Sequence, residues 1–403
     1  MATSPSPKKV LLPIVAGTEP IEASIPIDFL RRAGADVTVA SAGDALLVEI
    51  MYGVKIMADE LLADSAAASY DLIVLPGSQL SRMMQGGVPG AANLGACATL
   101  EGMVRKHVEK GRLYAAICAA PPLALASWCL LDGHKATGHP WFVEKFPPEV
   151  TAVDANVVVD GNAVTGTGPA TSMEFALALV EQLYGKEKVE QIAKPMLVRY
   201  EGGYSMNELN SVQWHCSGTP KVLLPLGNGI EEMEAIIIVD ALRRANADVI
   251  VASAEDGVVV TARHGTRIVA DVMLDEAADR APFDLIIVPG GMPGAKTLGG
   301  CEQLVALLKK QAEANRPYGA IGAATAHVLE PHGLLKGKKA TTCASMAGLL
   351  ADDSECENRV VVDGNVITSR SPGTAMEYAV AVVEEMLGRD EARRLAEGLL
   401  FLG

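Results

Sequence analysis

Three polar side chains in the first half of the chain have the types and positions that covalent catalysis requires. Cys118 follows a short apolar run in AAICAAP, Glu22 follows another in VAGTEPIEA, and His139 lies in KATGHP. A cysteine flanked by small residues at a sharp strand-to-helix turn has the layout of a nucleophile elbow. Amides at the start of the next helix would favour its thiolate, and the carboxylate and imidazole could move protons. The pattern predicts nucleophilic catalysis through Cys118.

Each of these residues also has a structural interpretation. A free cysteine packs as a small hydrophobe, and Glu22 in the opening turn of a helix complements the helix dipole. A lone histidine is often a polar residue with satisfied hydrogen bonds. Their common position at strand ends is more informative than any one residue, because ligands of parallel sheets bind at the carboxyl ends of the strands.

The elements that would position these residues occur twice in the chain. KVLLPIVAGTEPIEA recurs as KVLLPLGNGIEEMEA 212 positions later, and YDLIVLPG recurs as FDLIIVPG 213 positions later. Each copy alternates Val/Ile/Leu-rich strands with amphipathic helices, which predicts a mainly parallel sheet covered by helices on both faces. We therefore predict two α/β domains in tandem, 8–199 and 220–403, joined by a polar linker at 200–219.

In the first copy the sequence pattern predicts six elements around the candidate site. The strands are Lys9–Val15, Val37–Ala42, Asp71–Leu75 and Ala115–Cys118, and the helices are Ile21–Ala33 and Ser172–Leu183.

The first copy also contains extra residues, because the offset between the copies falls from 213 to about 203. We place a nine-residue insertion at Ser78–Gly86, where LPGSQLSRMMQGGVPGA stands against VPGGMPGA. It follows Gly77, in the loop expected to direct backbone amides at the cysteine. The insertion could form a lid over the cleft or disrupt it.

Composition excludes several other classes of function. The chain has 34 basic and 49 acidic residues, a formal charge of −15, and only 4% aromatic residues. Such a chain repels the phosphate backbone, so we expect no nucleic-acid partner. No uninterrupted apolar run is long enough for a membrane span, and seven scattered cysteines favour reduced thiols. We expect the cytoplasm, with the nucleus as a further compartment, or a plastid if a presequence precedes this sequence.

Taken together, the motifs VLLPIVAGTEPIEA, DLIVLPG, AAICAAP, KATGHP and GPATSMEFALALVE resemble the DJ-1/PfpI superfamily, specifically its DJ-1 branch. The tandem arrangement, with ELN and W in the linker, is similar to that of plant members. The resemblance covers residues 8 to 400 and implies two flavodoxin-like domains of the class I glutamine amidotransferase type. A glutamine amidotransferase itself would need a late His-x-Glu pair, and none follows Cys118.

The resemblance implies an activity and roles for particular residues. It implies that the Cys118 thiolate contacts a partly protonated Glu22, that His139 is the cleft histidine, and that the amides of Gly77 and Ala119 hold an alkoxide. Members are credited with converting methylglyoxal or glyoxal to lactate or glycolate without glutathione, metal or organic cofactor. Protein deglycation and a role in oxidative stress are also claimed. The alternative is a binding protein that senses oxidants through Cys118 without turnover.

The second copy departs from this pattern. Gly322 occupies the cysteine position, Cys343 occupies the histidine position, and Glu234 is retained. We therefore predict no family chemistry in the second copy and a structural role instead. Since DJ-1 relatives are homodimers, the two repeats are expected to pair within one chain, with further self-association left open. The resemblance also suggests an arginine where the first copy has Thr167 and the second has Arg370.

Overall fold

The computed structural model describes residues 6–78, 90–199, 206–214, 216 and 218–401. All but the first residue of the insertion predicted at Ser78–Gly86 therefore lies outside the described residues. The chain divides into two compact units, the first ending at Pro195 and the second beginning at Met196.

The first unit is built on a mainly parallel sheet whose apolar strands are buried under helices on both faces. The strands are β1 Lys9–Ile14, β2 Asp36–Ser41, β3 Leu47–Glu49, β4 Lys55–Met57, β5 Glu60–Leu61, β6 Leu72–Leu75, β7 Leu113–Ile117, β8 Lys135–Ala136, β9 Thr151–Ala152, β10 Val157–Asp160 and β11 Ala163–Gly166. Within the described part of the unit, the main sheet has seven of these strands in the order β10-β11-β7-β6-β1-β2-β5. The helices are α1 Pro20–Ala33, α2 Leu62–Ser65, α3 Gly90–Gly95, α4 Ala98–Glu109, α5 Ser172–Tyr184 and α6 Lys186–Met196.

The second unit repeats this arrangement with one additional strand. The strands are β12 Asn207–Leu209, β13 Lys221–Leu226, β14 Asp248–Ser253, β15 Val259–Thr261, β16 Arg267–Val269, β17 Val272–Met273, β18 Leu285–Val288, β19 Tyr318–Ile321, β20 Val360–Asp363 and β21 Val366–Ser369. Among the described residues, eight of these strands form the main sheet in the order β12-β20-β21-β19-β18-β13-β14-β17. The helices are α7 Glu232–Arg244, α8 Leu274–Ala278, α9 Gly294–Gly299, α10 Glu302–Glu313, α11 Ala375–Leu387 and α12 Arg389–Leu399.

The fold class predicted from the sequence is confirmed, and the six predicted elements of the first copy agree with the structure to within two residues at each end. The strongest agreement is at β1 and β2, which pair in parallel from Lys9↔Asp36 to Ile14↔Ser41. In the part of the chain that the structure describes, no helix has the length and apolarity that a membrane span needs.

The segment predicted as a linker contributes the additional strand. β12 pairs in parallel with β20, with Asn207 opposite Val361. Beyond β12, the Asn210 side-chain amide donates to Asp363 Oδ1 at 2.8 Å, and the Trp214 indole N–H donates to the Gly364 carbonyl at 3.0 Å. Trp214 is only 5% exposed. These contacts fix the segment along the edge of the second sheet.

We expect Trp214→Ala to lower the free energy of unfolding of the second unit by about 3 kcal/mol, because a buried aromatic side chain and its hydrogen bond are both lost. Denaturant unfolding followed by far-UV circular dichroism would measure the change. Val212→Ala is the matched control: Val212 lies in the same segment but is 41% exposed, so its effect should stay within about 0.5 kcal/mol. Equal effects of the two substitutions would contradict an anchoring role for Trp214.

Candidate active site

Cys118 lies at a sharp turn directly after strand β7. Its φ is +66°, in the left-handed region that residues with a side chain rarely adopt. Its N–H donates to the Gly166 carbonyl at 2.9 Å, and its own carbonyl accepts from the His139 N–H at 2.8 Å. The thiol is fully buried. The turn has the sharp geometry predicted from the sequence, and strain of this kind is concentrated at functional sites.

Glu22 reaches the elbow from the first turn of helix α1. Pro20 begins this helix, where its fixed φ and missing N–H are tolerated. The Glu19 carboxylate caps the helix by accepting from the Glu22 N–H at 2.6 Å. The Glu22 side chain is fully buried and hydrogen bonds to the Cys118 thiol. The ends of β1 and β7 thus bring a thiol and a carboxyl group together.

Gly77, just beyond the end of strand β6, completes this convergence. Its N–H donates to Glu22 Oε2 at 3.0 Å. A Cβ atom at this position would lie 2.5 Å from the Cys118 Cβ and 2.7 Å from Glu22 Oε2. Only glycine therefore allows the backbone after β6 to approach the thiol and the carboxylate so closely.

The Cys118 thiol and the Glu22 carboxyl group influence each other's protonation. Burial, followed by the neighbouring Glu22 carboxylate, raises the pKa of the Cys118 thiol well above its usual value, while the Ala119 N–H acts in the opposite direction. A thiolate and a carboxylate in contact would place two negative charges next to each other in a buried site. Protonation of the thiol is therefore coupled to that of the carboxyl group, so loss of a proton from one disfavours loss from the other.

The two amides predicted to hold an alkoxide are both beside the thiol. The Ala119 N–H contacts the Cys118 side chain. The Gly77 N–H is bound to Glu22, so an interaction with an alkoxide would require it to leave the carboxylate. The Ser78 carbonyl lies 3.7 Å from the Cys118 sulfur and is a second, weaker acceptor for the thiol proton. The alkoxide role of Gly77 and Ala119 stays a prediction.

His139 is held beside the elbow by its main chain and by aromatic neighbours. Its ring is buried, and Nδ1 accepts from the Trp141 N–H at 3.2 Å. In the neutral ring the proton therefore resides on Nε2, which can act as a donor. The ring makes edge contacts with Trp141 and Phe142, at centroid distances of 5.1 and 6.1 Å. These contacts fix the orientation of the imidazole.

Sequence reasoning missed a second buried carboxylate, Glu19. It is fully buried, its N–H donates to the Gly77 carbonyl at 3.0 Å, and its charge contributes to raising the pKa of Cys118. Its place three residues before Glu22, immediately before a proline, is a helix-start signal that could have identified it. Among the described residues, no three potential metal ligands converge at the elbow.

The second unit keeps the backbone of this site without the thiol. Gly322 has a φ of +57°, and its N–H donates to the Ser369 carbonyl at 3.0 Å. The Gly290 N–H donates to Glu234 Oε2 at 2.7 Å, as Gly77 does to Glu22 in the first unit. The elbow, the glutamate and the glycine just beyond strand β18 are therefore all present.

Two further positions differ between the units as the sequence indicates. Cys343 lies in the loop equivalent to that of His139, where its sulfur is 3.7 Å from the Ser345 hydroxyl. The Arg370 guanidinium donates to the Glu357 carbonyl at 3.1 Å, whereas the shorter Thr167 donates to the Ala155 carbonyl at 2.9 Å. Cys343 is thus not at the elbow of the second unit.

Comparison with known proteins agrees with the two-repeat structure. Residues 8–182 and 220–385 each match the sequence model of the DJ-1/PfpI family. Protein DJ-1 homolog B of Arabidopsis thaliana is 50% identical over 399 residues, which cover 98% of this chain and 89% of that protein. Protein DJ-1 homolog A of the same plant is 49% identical over 396 residues, 98% of each chain.

A single-repeat relative has a name that states an activity. The glutathione-independent glyoxalase DJR-1.2 of Caenorhabditis elegans is 31% identical over 188 residues, which cover 46% of this chain and 94% of that protein. The matches to the family model and to the two plant proteins extend over both repeats. The chain therefore belongs to the DJ-1/PfpI family and contains two tandem copies of its flavodoxin-like fold.

Proposed function

We propose that the first repeat is a glutathione-independent glyoxalase, which converts methylglyoxal to lactate and glyoxal to glycolate and so protects against carbonyl and oxidative stress. The observation that supports this most directly is the buried Cys118 thiol on a strained elbow, hydrogen bonded to the Glu22 carboxyl. Membership of the family and the stated activity of the C. elegans relative add to it. The reaction needs a nucleophile and a proton carrier, and this pair supplies both.

The first step forms the bond to sulfur. Transfer of the thiol proton from Cys118 to Glu22 gives the thiolate without adding a second charge to the buried pair. The sulfur then attacks the aldehyde carbon, and the carbonyl oxygen takes the proton from Glu22 to give a hemithioacetal, which returns Glu22 to the carboxylate. The Ala119 N–H, which contacts the Cys118 side chain, would stabilise the alkoxide as it forms.

The second step moves a proton between the two substrate carbons. Glu22, as the carboxylate, removes the proton from the carbon bound to sulfur and returns it to the neighbouring carbon. One carbon is oxidised and the other reduced, so no external oxidant is needed. The product is a thioester of the 2-hydroxy acid, which water hydrolyses to release lactate and restore the thiol. His139, which carries a proton on Nε2, would assist these transfers.

The second repeat has no thiol at its elbow, so we expect it to form no lactate. Its intact elbow and glutamate are explained by the stability of the fold. Pairing of the two repeats with each other stays a prediction from the sequence.

Replacement of the nucleophile tests the proposal. We expect Cys118→Ser to lower lactate formation from methylglyoxal by at least about 1000-fold, because the weaker nucleophile cannot form the hemithioacetal. Lactate would be assayed without glutathione, under multiple-turnover conditions. Cys343→Ser is the matched control and should leave the rate unchanged. Equal rates for the wild type and Cys118→Ser would exclude Cys118 as nucleophile, and a wild type without turnover would favour the oxidant-sensing alternative.

The contact between the Cys118 thiol and the Glu22 carboxyl group predicts a particular pH dependence for alkylation of Cys118 by iodoacetamide. The wild type should show two steps: a neutral plateau, where the two groups hold one proton between them, and a rise at high pH, because burial and Glu22 raise the pKa of the thiol. Glu22→Gln removes the carboxylate charge, so one step should remain, at lower pH than the upper wild-type step. Mass spectrometry of the alkylated peptide would follow the reaction.

The same variant should lose lactate formation, because an amide cannot carry the proton between the substrate carbons. Glu19→Gln is the control, since it neutralises the other buried carboxylate of this turn while an amide oxygen can still cap the helix. Glu19→Gln should retain the two steps in the pH profile of Cys118 alkylation. A two-step profile or normal turnover in Glu22→Gln would show that Glu22 is not the partner of the thiol.

A further inference from the structure

The same six-residue sequence, VVVDGN, forms the first strand and the turn of a hairpin in both sheets, at the edge of the first sheet and beside strand β12 in the second. It occupies residues 157–162 in the first repeat and 360–365 in the second. The hairpin register is also the same: Val157 pairs with Gly166 and Val360 pairs with Ser369, at equivalent positions. Any difference in the surroundings of these hairpins therefore arises outside them.

In the second repeat the hairpin is covered by the segment from Met206 to Trp214. All six residues of VVVDGN are buried there. Strand β12 lies along β20, and the Gly364 N–H donates to the Leu209 carbonyl at 3.1 Å. Two side chains then complete the contact: Asn210 donates to Asp363 and Trp214 donates to Gly364.

In the first repeat the same hairpin is open to solvent. β10 is the outermost strand of its sheet, and among the described residues no strand pairs with its outer side. Val159 is 45% exposed, and Gly161 and Asn162 are also exposed. Asp160 Oδ2 accepts from the Lys135 N–H at 2.7 Å, just as Asp363 Oδ2 accepts from the Lys339 N–H at 2.8 Å. The acceptor groups that hold the second-repeat segment thus have counterparts here.

We propose that this open edge, residues 157–162, binds an extended peptide segment of a partner protein as an additional parallel strand. The segment would carry a carboxamide side chain for Asp160 and, four residues later, a tryptophan for the Gly161 carbonyl, in the pattern of Asn210 and Trp214. An unpaired strand edge is a template for such strand addition. The chain itself shows which sequence this hairpin accepts.

The geometry favours a foreign peptide over another copy of this chain. The Met206–Trp214 segment is already held by its own second repeat, where Trp214 is buried. Two copies of β10 related by a twofold axis would pair in antiparallel orientation. That pairing would supply no carboxamide to Asp160 and no indole to Gly161.

Binding of a synthetic peptide tests this proposal on the full chain. The probe is the sequence MNELNSVQW, residues 206–214, with a fluorescent label at its N-terminus, titrated by anisotropy. We expect saturable binding of one peptide per chain. Trp214→Ala or Asn210→Ala within the peptide should weaken binding at least about tenfold, because the loss of each leaves a polar partner without its hydrogen bond. These peptide variants leave the protein itself unchanged.

A protein variant and amide exchange locate the bound peptide. Asp160→Ala should weaken binding about tenfold, whereas Asp154→Ala, an equal charge change at an exposed position, should not. Hydrogen exchange should show new protection at residues 157–162 and none at 360–365. Absence of saturation up to about 1 mM peptide, or protection confined to 360–365, would overturn the proposal. Protection of 157–162 that rises with protein concentration alone would assign the edge to a second copy.

Discussion

Burial of the Cys118 thiol against the Glu22 carboxyl group is the constraint on which the site of the first repeat depends. Both groups are fully buried, so two charges in contact would be strongly unfavourable. Their meeting requires three local features at once: a capped helix start at Glu22, a glycine at position 77, and a left-handed residue after β7. Each feature lies at the end of a parallel strand, so the sheet places the thiol, the carboxyl group and the glycine next to one another.

The second repeat shows that this geometry does not depend on the nucleophile. Glu234 and Gly290 make the same hydrogen bond as Glu22 and Gly77, and the elbow keeps its conformation at Gly322. The fold therefore determines the backbone geometry of the site, and this geometry forms whether or not the thiol is present. The second unit keeps the elbow and the glutamate–glycine hydrogen bond without sulfur, so neither feature requires the thiol.

The elements of the fold could be predicted from the sequence because buried strands and amphipathic helices have strong hydrophobic patterns. The convergence of Cys118, Glu22 and Gly77 followed from the rule that parallel strand ends meet at one edge. Strand β12 could not be predicted, since its three residues, Asn207 to Leu209, have no strand pattern and are held by a hairpin about 150 residues away. The bond from Gly77 to Glu22 was also missed, because residue type does not specify where a backbone N–H points.

The left-handed conformation at the elbow has a consequence for how the two repeats differ. A residue with a side chain is about 1 kcal/mol less stable there than glycine, so Cys118 keeps a local strain that Gly322 lacks. A glycine at this turn relieves the strain without altering the path of the chain, because Gly322 has the same elbow conformation. The two repeats thus hold the same turn at different conformational cost: the first pays a strain for its side chain at this position, and the second does not.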